Sequence, residues 1–87
     1  MTAPHVTVYS GPNCPYCLRA KLLLQKKGIV FETFDVRADT ARFAEMLQRS
    51  EGRKTIPQIF INGQHIGGCD DLYALEAEGK LDILLAL

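Results

Sequence analysis

The spacing of apolar residues along the chain switches repeatedly between two periods. In "HVTVYS", Val6 and Val8 fall on one side of a two-residue repeat, which predicts a short strand. Gly11, Pro12 and Asn13 break it. From Pro15 to about Lys27 the spacing becomes helical. Ala20, Leu23 and Leu24 form the inward stripe there, and Gly28 is placed to stop it. "IVFETFDV" reads as a second strand. Asp39 then stands at a helix N-cap, before a helix to about Ser50 whose inward face carries Phe43, Met46 and Leu47. "QIFI" and "QHIG" are short runs joined by Asn62-Gly63, a dipeptide suited to a two-residue hairpin. Asp70 and Asp71 begin another helix that Gly79 closes, and "KLDILLAL" supplies a last apolar helical segment.

This order dictates the architecture. Strand, helix, strand makes a parallel βαβ unit with a right-handed crossover, and the later hairpin adds antiparallel strands. The expected fold is therefore α/β, a four-stranded mixed sheet flanked by helices, in one domain over residues 1–87. No linker, repeat or low-complexity segment interrupts it. Cys14 and Cys17 fall where the first strand ends and the helix begins, the end of an α/β sheet at which ligands gather.

Composition narrows the choice further. An apolar fraction of 47% argues against disorder, and ten basic residues balance ten acidic ones. Such a chain has no global field to draw nucleic acid or a membrane surface. No run reaches the length of a membrane span, and the first ten residues lack the pattern of a secretory signal. Three cysteines are too few, and odd in number, for a secreted disulfide scaffold, so the expected home is the reducing cytoplasm.

What, then, is "CPYC" for? A structural zinc site needs four ligands, and beyond the pair only Cys69, His5 and His65 are on offer, without ligand spacing. No metal is expected. A purely structural disulfide across two residues would close too short a loop to restrict the unfolded chain much. A redox pair, by contrast, needs this arrangement. An attacking cysteine must be a thiolate, and Cys14 at a helix N-cap meets unpaired N–H groups and the positive end of the helix dipole. The N–H of Cys17 should point at that sulfur. Pro15 suits the first helical position, and Tyr16 shields the sulfur on one side. On this reading Cys14 attacks and Cys17, one turn inside, resolves.

At this point three motifs converge. C-P-Y-C after the first strand, T-I-P before "QIFI", and G-G-C-D-D opening the late helix resemble the glutaredoxins, specifically the small dithiol type of bacteria. The resemblance runs from about Val6 to Leu85 and implies a thioredoxin-like fold with glutathione as reducing co-substrate and no bound cofactor. It also implies that Ile56–Pro57 is cis, leaving the N–H and C=O of Ile56 to pair with the cysteinyl part of glutathione as a one-residue strand addition. Gly68, the N–H groups of Cys69 and Asp70, and the Asp70 carboxylate would take its γ-glutamyl end, with Tyr16, Thr55 and Pro57 completing the contacts. Alone, Pro57 reads equally as a residue that starts a strand, and Asp70 with Asp71 reads as ordinary N-capping. Cys69 is expected to lend its N–H rather than its sulfur, His5 to lie on the surface, and His65 to be packed or solvated.

One position departs from the family pattern. Relatives commonly carry a Lys three residues before the first cysteine, for the glycyl carboxylate of glutathione; here it is Gly11. Arg42, Arg53 or Lys54 would have to take over. The implied function is a glutathione-dependent thiol–disulfide oxidoreductase acting as a monomer on glutathionylated and disulfide-containing client proteins. The rivals are a glutaredoxin-like donor reduced by thioredoxin reductase, an iron–sulfur carrier using Cys14 and bound glutathione, and a non-catalytic binding module. Pro15 speaks against the carrier, since cluster-holding relatives usually lack proline there.

Overall fold

The computed structural model describes residues 3–87. The elements are β1 (Val6–Ser10), α1 (Pro15–Lys26), β2 (Glu32–Asp35), α2 (Thr40–Arg49), β3 (Gln58–Ile61), β4 (Gln64–Gly67), α3 (Cys69–Ala77) and α4 (Leu81–Leu84). The sheet order is β2-β1-β3-β4, with β1 parallel to β2 and antiparallel to β3, and β3 antiparallel to β4. This is the expected mixed sheet of the thioredoxin-like fold.

Strand alternation divides the interior into two layers. Val6, Val8, Ile59 and Ile61 point to one face, where they pack with Ala20, Leu23 and Leu24 of α1, Leu72 of α3, and Leu81 and Leu85 at the C-terminal end. Tyr9 and Phe60 point to the other face, where they meet Val36 and Met46, edged by Phe34, Phe43 and Ile56. Thus α1, α3 and α4 share one side of the sheet and α2 covers the other. Leu81 and Leu85 are fully buried, and burying a leucine is worth about 1.5–3 kcal/mol. Lys27 adds a staple: its Nζ lies 2.6 Å from Glu76 and 2.7 Å from Asp82. Those two hydrogen bonds, Asp82 first, raise the Lys27 pKa.

Local signals act as expected at most boundaries. The Asp39 side chain accepts from the N–H of Arg42, capping α2. Asn62 and Gly63 both adopt positive φ, 51° and 80°, as a hairpin turn of this type requires. The second strand differs, because it spans only Glu32–Asp35 of the apolar run that starts at Ile29. Ile29 still donates its N–H to Leu24 at the end of α1, and Val30 is 89% exposed. Those residues leave the helix before they can join the sheet. α3 begins one residue earlier than the aspartates suggest, with Gly68 at its N-cap. Among the described residues no helix is long and apolar enough to cross a membrane.

Candidate active site

β1 delivers the chain to a turn at Asn13 (φ 54°), and α1 starts immediately beyond it. Cys14 is the N-cap, in extended conformation, and Pro15 occupies the first turn, where a missing N–H costs nothing. The N–H of Cys17 donates to Cys14 Sγ over 3.2 Å. Cys14 is half-buried while Cys17 is 1% exposed. The two are joined in a disulfide across a Cα separation of 5.2 Å. The more accessible sulfur lies at the helix mouth and the shielded one a turn behind it, an arrangement in which the two can be joined and parted without moving the backbone far.

The second wall comes from the loop entering β3. Ile56–Pro57 is cis, as the resemblance implied. The Ile56 carbonyl oxygen lies 3.9 Å from Cys14 Sγ. Behind this loop stands Gln58, fully buried. Its Nε2 donates to both the carbonyl and the hydroxyl oxygen of Thr55, each at 3.0 Å. Gln58 Oε1 is left as an acceptor and meets His65 Nε2 at 2.7 Å, so that ring nitrogen carries a proton. His65 also stacks on Phe60 with ring centroids 4.9 Å apart. Burial, and secondarily the charge of Arg53, lower its pKa. His65 is therefore packed, and Gln58 is a support for the loop that the sequence reading did not single out.

The third wall is the β4–α3 junction. Ile59 pairs with Gly67 but Phe60 with His65, so β4 contains a bulge at Ile66. The bulge and the positive φ of Gly67 (118°) turn the chain into α3. There Asp71 accepts from the Gly68 N–H at 2.8 Å and from Arg53 Nη1 at 3.4 Å. The capping reading thus holds for Asp71, while Asp70 is left exposed. Cys69 is buried, and burial raises its thiol pKa, which suits the inert role expected of its sulfur.

These walls enclose two adjoining hollows. Tyr16, Thr55, Ile56, Pro57, Gly68, Cys69 and Asp70 are brought together around one of about 290 Å³, with Arg53 and Asp71. The other, of about 660 Å³, contains Cys14 and shares Tyr16, Thr55 and Ile56 with the first. The sites differ in charge. The smaller hollow has two carboxylates and one guanidinium on its walls. The larger has Arg37 and Lys54 and no acidic residue.

Of the three cations expected to replace a lysine at position 11, only Lys54 reaches the larger hollow. Arg42 is turned away, paired with Glu45 at 3.2 Å and stacked 3.7 Å from the Phe34 ring centre. Arg53 is engaged by Asp71 in the smaller hollow. Arg37 was not anticipated. It is the register of the parallel pair, with Ser10 opposite Asp35, that brings the residues following β1 and β2 side by side.

Residues 6–66 match the family model described as glutaredoxin. Glutaredoxin 3 of Escherichia coli strain K12 is 56% identical over 81 residues, 93% of this chain and 96% of that one. The solution structure of glutaredoxin from Brucella melitensis superposes with a TM-score of 0.84 at 56% identity, covering 98% of this chain and 91% of its own. A buckwheat glutaredoxin–glutathione complex gives a TM-score of 0.85 at 35% identity, covering 95% and 77%.

Proposed function

Because the chain belongs to the glutaredoxin family, and is therefore a thiol–disulfide oxidoreductase, we propose that it draws its electrons from glutathione and acts on glutathione mixed disulfides and protein disulfides. The observation that carries this reading is the pair of adjoining hollows, a smaller one bearing both signs of charge and a larger one that contains Cys14 and bears only cations. Glutathione has the same asymmetry. Its γ-glutamyl end carries an ammonium and a carboxylate, its other end a lone carboxylate, and its sulfur lies between. A ligand with the zwitterionic end against Asp70 and the first N–H groups of α3 would put its lone carboxylate toward Arg37 and Lys54. Its cysteinyl backbone would then lie along Ile56, beside Cys14. That a buckwheat glutaredoxin of the same fold is known in complex with glutathione supports the choice of ligand.

The reaction follows from the cysteine geometry. In the reduced enzyme the Cys17 N–H and the open end of α1 favour a thiolate at Cys14. That thiolate attacks the glutathione sulfur of a protein–glutathione mixed disulfide. A Cys14–glutathione disulfide forms, and the protein sulfur leaves as thiolate with the electron pair of the broken bond. A second glutathione thiolate attacks the glutathione sulfur held on Cys14, releasing glutathione disulfide and restoring the Cys14 thiolate. On a protein disulfide, Cys14 forms the intermolecular bond and Cys17 displaces the client, leaving the Cys14–Cys17 disulfide for two glutathiones to reduce.

A coupled assay with glutathione, its reductase and a small glutathione mixed disulfide tests the reading. Turnover is expected in the wild type, loss with Cys14→Ser, and retention with Cys17→Ser, which should fail only on protein disulfides. Reduction by thioredoxin reductase with no turnover on glutathione would instead favour the alternative electron source.

A further inference from the structure

We propose that Arg37 is the residue that selects for a carboxylate at the far end of the thiol substrate, and that Gly11 is glycine to make room for it. The inference rests on the glutathione reading and adds a residue to which neither the motifs nor the sequence pattern pointed.

Space is the first argument. A Cβ built on Gly11 would lie 2.9 Å from Ile56 Cδ1, 3.1 Å from Arg37 Cδ and 3.3 Å from Arg37 Cγ. The stem of Arg37 thus runs through the volume that a side chain at position 11 would enter. A longer residue there would crowd the Arg37 stem, which would have to give by a few tenths of an ångström, and would press harder still on Ile56 Cδ1. With no side chain at position 11, the cation on this side of the larger hollow comes from the residues that follow β2.

Charge is the second. Among the described residues Arg37 forms no ion pair, whereas Arg42 and Arg53 are each matched by a carboxylate. The two nearest acids along the chain are each occupied at Oδ1, Asp35 by the backbone N–H groups of Arg37 and Ala38 and Asp39 by that of Arg42. What holds Arg37 is neutral: its Nη1 donates to the Pro12 carbonyl at 3.2 Å. One nitrogen anchors the guanidinium to the turn that precedes Cys14, and its remaining donors are available. Lys54 lines the same hollow but has no such anchor, so it would spend more side-chain entropy on any contact. An anchored, unpaired guanidinium beside the nucleophile, with no acid on the walls of the hollow, is built to receive an anion.

The test compares glutathione with its glycyl ethyl ester, which keeps the thiol and the γ-glutamyl end but lacks the lone carboxylate. In the coupled assay, wild type is expected to show a KM for the ester about five- to tenfold above that for glutathione, the effect of one solvent-screened charged hydrogen bond. Arg37→Gln should raise the KM for glutathione to the ester's value, with kcat little changed and the ester unaffected. Arg37→Lys should restore part of the preference. In Gly11→Lys with Arg37→Ala, the charge returns from the other strand end, and the preference should return with it. Discrimination persisting unchanged in Arg37→Gln, or a wild type indifferent to the ester, would overturn the proposal and leave glutathione use standing. A wild type that turns over neither compound would instead remove the glutathione reading itself. Circular dichroism and thermal melting of each variant confirm that the exposed substitution leaves the fold intact.

Discussion

Replacing Gly67 with alanine makes two demands on the β4–α3 junction at once. The backbone there has φ 118°, a conformation that side chains rarely tolerate. In addition, the new Cβ would stand on Asp71 Oδ2, 2.7 Å from its Cγ and 3.0 Å from Arg53 Nη1. Asp71 would have to rotate away, giving up the N–H of Gly68. The strain is worth about 1–3 kcal/mol and the lost cap about 1 kcal/mol. The surface pair with Arg53 adds at most about 1 kcal/mol. A total of about 2–5 kcal/mol lowers the melting temperature by on the order of 10–40 °C in a domain of this size. Urea unfolding of four proteins isolates the two demands: wild type, Gly67→Ala, Asp71→Ala and the double variant. With Asp71 shortened, the hard contact is gone and Arg53, no longer held by that carboxylate, is free to swing aside, so alanine at 67 should cost only the strain. The two substitutions should therefore show a coupling of about 1 kcal/mol. Gly28→Ala is the control, because φ is 73° there and nothing lies within 4 Å of the added atom; it should cost about 1–2 kcal/mol from conformation alone. If alanine at 67 costs the same with and without the Asp71 carboxylate, the reasoning about the junction is wrong.

Other expectations can be checked with the same methods. The lowered pKa of His65 means that the folded protein resists protonating it, while the unfolded chain takes up a proton near the ordinary value of 6.5. Its contribution is therefore complete above pH 6.5 and declines as pH falls from there toward the folded pKa. Urea midpoints between pH 7.5 and 5 should fall with pH in wild type, and more shallowly in His65→Phe. Glu45 has a lowered pKa, chiefly through the Tyr9 hydroxyl, so its contribution is present above 4.5 and lost only as pH drops further. Tyr9→Phe removes a buried hydroxyl that donates to Glu45 and accepts from Arg49 at 2.7 Å. It should cost about 1 kcal/mol by urea unfolding and leave kcat unchanged. Met46→Ala, emptying a fully buried site where α2 packs on Tyr9 and Phe60, should cost about 2–5 kcal/mol in the same titration.

Much of this molecule could be read from short-range chemistry. Asp39, Gly28 and Asn62-Gly63 each satisfy a local backbone need, so each marks its boundary without help from the rest of the fold. The cysteine pair was readable for the same reason, because a helix N-cap is a local object. What stayed hidden depends on tertiary placement. "IVF" has strand composition, yet Ile29 remains tied to Leu24 and only the later residues reach the sheet. Gln58 looks like one polar residue in an apolar run until the fold sets His65 on one side of it and Thr55 on the other. Arg37 is an unremarkable surface cation in sequence, and only the parallel pairing of β1 with β2 lays it across Gly11.

The two sides of the sheet are unequally furnished, and this bears on how the groove beside Cys14 yields. Among the described residues, twelve buried apolar side chains cluster on the side of α1, α3 and α4, whereas four cluster on the side that α2 covers. Amide protons of α2 should accordingly exchange with deuterium well before those of the inner part of α1. Val36 and Phe43, on the loosely held side, form one bank of the groove, while the sulfur belongs to the firmly held side. On the proposed function, thiol–disulfide exchange at this sulfur would set a fixed point against a yielding bank, an arrangement suited to clients of dissimilar contour.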